Sequence, residues 1–173
     1  GFGLLEGSDA FLDAIVTRFP ARSLLEMMSM MDDAIAYRFR TSEQQTLYRI
    51  AALLGSAEGD GVGFGGEHDA GFLKKFVSPL LQEEGYATTL LEQGEGDTEH
   101  VLRIVDGQGL LFYTGHGSRR MLSSPQITVG NLQTWSNGRK VSPLWISVGC
   151  NVGEYFFSDQ DTTACFQEEL LRT

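Results

Sequence analysis

Two stretches place a thiol and an imidazole in similar surroundings. Residues 110–118 read LLFYTGHGS and residues 143–156 read PLWISVGCNVGEYF. In each, an apolar run ends at a glycine and then delivers a reactive side chain, His116 or Cys150. A thiol beside an imidazole is a nucleophile with its base: the imidazole takes the thiol proton and later hands it to a leaving group. The flanking glycines have a physical use. Gly117 has no side chain to obstruct an incoming carbonyl, and its N–H together with that of Cys150 could form an oxyanion hole. Gly149 and Gly153 let the backbone turn sharply beside the thiol. A structural cysteine and a loop histidine that only hydrogen-bonds would spell the same letters, so the pair points to nucleophilic chemistry without establishing it.

The elements that must carry these residues are legible from periodicity. Apolar runs with β character at 13–19, 47–55, 86–92, 110–115 and 143–149 read as strands. Helical patterns fall at 24–39, 67–84, 97–106, 127–135 and 162–172. Ser23 is placed to cap the first helix, whose Leu24, Leu25, Met28, Met31 and Ile35 share one face. Pro79 should interrupt the second helix and Gly85 should stop it. Strand–helix alternation of this kind indicates an α/β fold of three layers, a mostly parallel sheet with helices on both faces. Function in such sheets gathers in the crevice beyond the carboxyl ends of the strands. Glu58, His116 and Cys150 each follow such an end, and neighbouring strands lie about 4.8 Å apart, close enough for their loops to meet.

Composition bounds the rest. With 173 residues the chain suits one domain with a real core. A formal net charge of -10 argues against a nucleic-acid partner, which would need clustered Lys and Arg. No run approaches the roughly 18 apolar residues that cross a bilayer, and GFGLLEGSDAF at the start lacks the pattern of a signal peptide. Cys150 and Cys165 could pair, but two cysteines make no disulfide framework and no zinc spacing.

The acidic, glycine-rich loop SAEGDGVGFGGEHD holds a rival reading. Gly61, Gly63 and Gly66 spell GxGxxG between an expected strand and an expected helix, with Glu92 ending the next strand, which is the dinucleotide fingerprint of a nucleotide-binding oxidoreductase. Two features oppose it: the glycines begin several residues past the strand, and Glu58, Asp60, Glu67 and Asp69 would face a pyrophosphate of like charge. The same four acids offer oxygen ligands of the kind that suit a structural Ca²⁺. No other cofactor or metal is expected.

The blocks YTGHGS, SVGCNVGEYFFS and CFQEELLR resemble the gingipain family of cysteine peptidases, caspase-like in fold. TRFPARSLLEMMSMMDDAIAYRFR resembles a strand–helix element of that family, and GSAEGDGVGFGGEHDAGF its acidic glycine loop, so the likeness runs over nearly the whole chain. It implies a cysteine endopeptidase that cleaves after a basic residue, Arg first. Cys150 would be the nucleophile, His116 the base and acid, Glu58 the carboxylate orienting the histidine, and the amides of Gly117 and Cys150 the oxyanion hole. Asp69 would lie at the base of the pocket for the substrate's basic side chain, where a carboxylate selects a guanidinium. Asp69 also suits the first turn of a helix on dipole grounds alone, and Glu58 a solvated loop. The family domain is longer than this chain, so a second chain or segment is expected to complete it, and the resemblance implies a secreted or cell-surface setting. An inactive homologue retained as a binding module is the remaining alternative. His68 and His100 read as surface helix residues, Cys165, Trp135 and Trp145 as core, and Arg119 and Arg120 as exposed arginines near the histidine.

Overall fold

A computed structural model describes residues 21, 23–57, 68–135, 143–153 and 164–170. The expected strand at 13–19 lies outside them. Helix α1 (Leu24–Arg38) starts as the sequence predicts, with the Ser23 side chain accepting from the Glu26 N–H. Its buried face differs from the expected one. Met30 is buried while Leu24, Leu25, Met28, Met31 and Ile35 are exposed. Tyr37, two turns beyond Met30 on the same side, stacks edge-on against Tyr48 with ring centroids 4.9 Å apart. One residue of a helix is about 100°, so the contact stripe is rotated by roughly that angle from the most apolar one. Periodicity locates a stripe; it does not choose which stripe a neighbour covers.

A short helix α2 (Ser42–Leu47) precedes β1 (Ile50–Gly55), so the strand expected from residue 47 begins three residues later. The next helical stretch runs without a break as α3 (Asp69–Phe72), a π-helical turn (Leu73–Val77) and α4 (Ser78–Glu83). Pro79 does not interrupt it. It falls in the first turn of α4, where its missing N–H costs little, and the wide turn before it is closed by Ser78 N–H bonding to the Leu73 carbonyl. Gly85, at φ +82, ends the helix in the left-handed region as expected. Then come β2 (Ala87–Glu92), α5 (Thr98–Val105) capped by Asp97, and β3 (Leu110–Thr114). Three short strands that the sequence did not reveal, β4 (Gly117–Ser118), β5 (Met121–Ser123) and β6 (Gln126–Thr128), form an antiparallel ribbon after β3. Helix α6 (Val129–Thr134), strand β7 (Leu144–Val148) and helix α7 (Phe166–Leu170) follow.

The main sheet is parallel throughout, in the order β2-β1-β3-β7. Its inward residues alternate. Ala52, Leu54, Leu111 and Tyr113 join Val101 and Val105 of α5, Leu132 of α6 and Phe166 of α7 in one core. Ala51, Leu53 and Gly55 face the other way, toward α3 and the π turn. This is the three-layer α/β arrangement that the alternation implied. Trp135, Trp145 and Phe166 pack edge-to-face, and Cys165 is fully buried, as expected of core residues. On the α3 side of β7, Leu144, Ile146 and Val148 are exposed. No helix among the described residues is long and apolar enough to cross a membrane.

Candidate active site

The register of the central strands decides where the chemistry lies. Thr114, the last residue of β3, pairs with Gly55 of β1 on one side and Val148 of β7 on the other. His116 stands two residues beyond Thr114, and Cys150 two residues beyond Val148. Parallel pairing therefore carries the imidazole and the thiol to equivalent positions past the same sheet edge, and both are exposed.

The two loops interlock on both sides of the histidine. The Gly115 N–H donates to the Val148 carbonyl at 3.1 Å. A Cβ placed on Gly149 would meet the Gly115 carbonyl at 3.0 Å, and one on Gly117 would meet Val152 Cγ1 at 2.5 Å and the Cys150 carbonyl at 3.1 Å. Absence of side chains at Gly117 and Gly149 is thus what lets the loops touch. Asn151, next to the thiol, sits at φ 57, a left-handed conformation that asparagine tolerates better than most residues.

The backbone around His116 is anchored from the core. The Tyr113 hydroxyl donates to the His116 carbonyl and accepts from the Ser124 N–H at 3.4 Å, while the Ser123 N–H donates to the same His116 carbonyl at 2.9 Å. Burial pushes the Tyr113 phenol above its ordinary value, opposed by the Ser124 and Ser123 backbone bonds and reinforced by the nearby Asp69 charge. It therefore keeps its proton and remains a donor. The tyrosine was legible only as part of the strand. Its role depends on a bond three residues ahead that no pattern announces.

Asp69 opens α3 on the opposite face of the sheet, in the first turn as its dipole reading anticipated. Its Oδ1 accepts from the Thr114 hydroxyl at 2.8 Å. The helix can come this close because a Cβ on Gly55 would lie 2.5 Å from Ala70 Cα, and the Ala70 N–H bonds the Ser56 carbonyl at 3.0 Å. His68 caps α3 by accepting from the Gly71 N–H at 3.1 Å, and its Nε2 lies 4.0 Å from Glu92 Oε1, a surface helix role. His100 is part-exposed on α5. The structure thus brings the loops that carry His116, Gly117 and Cys150 into contact beyond one end of the sheet, with the Asp69 carboxylate bonded to Thr114 at the adjoining strand end. Glu58 lies outside the described residues, as do Asp60 and Glu67 of the candidate Ca²⁺ set and Gly61, Gly63 and Gly66 of the GxGxxG. Among the described residues no group of three or more His, Cys, Asp or Glu is placed to hold a metal.

Cys150 and Cys165 do not pair: both are free, the first exposed and the second buried. Burial chiefly raises the Cys165 thiol above its ordinary value. Cys165 immediately precedes α7. Its N–H donates at 2.8 Å to Oε2 of the buried Glu168, a side chain reaching back three residues to the helix start. The Arg119 carbonyl accepts from the Phe166 N–H at 2.7 Å, tying the turn after β4 to α7, while Arg120 is exposed.

Comparison with known proteins bears on the family and the fold. Gingipain R2 of Porphyromonas gingivalis is 26% identical over 175 aligned residues, which take in 99% of this chain and 23% of that protein. The solved structure of the Arg specific cysteine proteinase gingipain R superposes with a TM-score of 0.85 at 23% identity, covering 99% of this chain and 39% of the other. A complex of the pro- and mature domains of RgpB from P. gingivalis gives a TM-score of 0.83 at 24% identity, with 99% and 40% covered. The sequence model of peptidase family C25 matches residues 1–173, the whole of the chain, including its acidic glycine loop. The chain belongs to peptidase family C25.

Proposed function

We propose that this chain carries the nucleophile and base of a cysteine endopeptidase that cleaves after a basic residue, arginine before lysine. The observation that carries the reading is the double contact between loops: the residues on either side of His116 touch those on either side of Cys150. Cys150 gives its proton to His116 as its sulfur attacks the scissile carbonyl, forming a tetrahedral oxyanion held by the amides of Gly117 and Cys150. Collapse of that intermediate breaks the C–N bond, and the His116 imidazolium protonates the departing amine. Water, deprotonated by His116, then hydrolyses the thioester and frees the enzyme. Glu58 is assigned the orienting carboxylate on the strength of the resemblance. Asp69, beyond the end of the strand next to β7, is assigned the guanidinium. The arginine specificity of gingipain R, whose fold this chain shares, supports this assignment.

A second polypeptide segment belongs to the same reading. The chain spans 39% of the solved proteinase, and Leu144, Ile146 and Val148 leave the outer strand of the described sheet apolar on one face. The secreted or surface setting of the resemblance is carried with it. The test is a positional-scanning peptide library on the wild type, Cys150→Ala and Asp69→Ala. Cleavage after Arg that vanishes in the first variant and loses its preference in the second is the expected result. Wild-type turnover by Cys150→Ala would exclude the mechanism. An inactive homologue would not be labelled at Cys150 by a peptidyl-arginine electrophile.

A further inference from the structure

We infer that Thr114 is a positioning residue for the Asp69 carboxylate and through it sets how strongly a cationic substrate side chain is preferred over a neutral one. The inference rests on the reading of Asp69 given above. Thr114 closes β3 and is nearly buried, and its single hydroxyl proton is committed to Asp69 Oδ1 at 2.8 Å. Two fixed points hold the helix that carries the acid: Gly55, whose missing side chain admits Ala70, and the Ala70 N–H bond to Ser56. Helix and strand therefore fix where the Asp69 backbone is, and the threonine fixes which way its carboxylate turns. A carboxylate offers about four acceptor sites, so one bond from Thr114 leaves Oδ2 and part of Oδ1 for a guanidinium. The order of events along the strand is economical: Tyr113 points into the core and holds the His116 backbone, and the next residue points the other way and holds Asp69.

Removing the hydroxyl leaves the carboxylate free to rotate toward water, so a cation meets it in several orientations, most of them unable to accept two parallel N–H bonds. The test uses the intact protein and two peptides differing only at the residue before the scissile bond, arginine or citrulline, its neutral analogue of nearly the same shape. The ratio of kcat/KM for the two, measured on one preparation, does not depend on the fraction of folded enzyme. Thr114→Val should lower the arginine-over-citrulline ratio about tenfold, chiefly through a higher KM for the arginyl peptide, as loss of a bond to a charged group implies. Thr114→Ser, which keeps the hydroxyl, should restore the ratio to within about threefold of wild type. Asp69→Ala should abolish the preference, and Asp69→Ala with Thr114→Val should be no worse, since the threonine acts through the acid. If Asp69→Ala loses the preference while Thr114→Val keeps it, the positioning role is wrong and the assignment of Asp69 stands. If Asp69→Ala keeps the preference, the assignment of Asp69 falls and the role of Thr114 with it.

Discussion

Gly117→Ala isolates the contact on which the catalytic geometry depends. The added Cβ would lie 2.5 Å from Val152 Cγ1, whereas carbon atoms settle at about 3.5–4.0 Å, so one of them must retreat by about 1 Å. Val152 is buried in the main core, with Tyr113 and Phe166 in the same cluster, and has little room to move. The strain of such overpacking is about 1–3 kcal/mol, or roughly 5 °C in the melting temperature of a chain this size. The same Cβ presses on the Cys150 carbonyl at 3.1 Å, which links the clash directly to the nucleophile. A shift of about 1 Å in a reacting group costs on the order of a hundredfold in rate, although alanine retains the N–H assigned to the oxyanion. The assay is kcat/KM on a peptidyl-arginine amide, with thermal melting beside it. Pairing Gly117→Ala with Val152→Ala removes the clashing methyl and should recover part of the lost rate, whereas Val152→Ala alone should lower stability by leaving a cavity. Wild-type rate and melting in Gly117→Ala would show that the two loops do not press together, and the argument for the dyad would lose its geometric support.

Gly55→Ala should be the most damaging glycine replacement on the opposite face, because its Cβ meets Ala70 backbone at 2.5 Å. Melting should drop by the upper part of the ~1–3 kcal/mol range, and arginine preference should fall as α3 is lifted away. Iodoacetamide should label Cys150 in the native protein and Cys165 only after unfolding, read by peptide mass mapping, since one thiol is exposed and the other buried. Alkaline pH should destabilise the fold. Burial raises the Cys165 thiol above 9.0 and the Tyr113 phenol above 10.0, so the native state retains protons that the unfolded chain releases. Their contribution is complete below about pH 9 and is lost as pH climbs past it. Melting curves from pH 7 to 10.5 check this, and Cys165→Ala should remove the component beginning near pH 9. Ser23→Ala should cost about 1 kcal/mol by leaving the Glu26 N–H without its cap, measured by denaturant unfolding.

Much of this architecture could be read before any coordinates because its signals are local. Ser23 and Gly85 sit at helix ends for reasons internal to one turn, and the apolar runs of β1, β3 and β7 announce a buried parallel sheet. The placement of His116 and Cys150 at strand ends followed from the same alternation, whereas the pairing of β3 with β7 is a matter of sheet order. What escaped were relations between distant segments. The buried side of α1 turned on Tyr48, and continuity through Pro79 turned on a widened turn of backbone. The ribbon β4–β5–β6 is made of strands two or three residues long, below the length at which alternation can be recognised. Thr114 and Tyr113 looked like ordinary strand residues, since hydrogen bonds to Asp69 and to the His116 carbonyl leave no mark on spacing.

The alternation of Tyr113 and Thr114 makes β3 intolerant of changes in its length. An inserted or deleted residue within that strand would send the phenol to the helix side and the hydroxyl to the core, detaching both anchors at once. In this five-residue segment the number of residues matters as much as their kind.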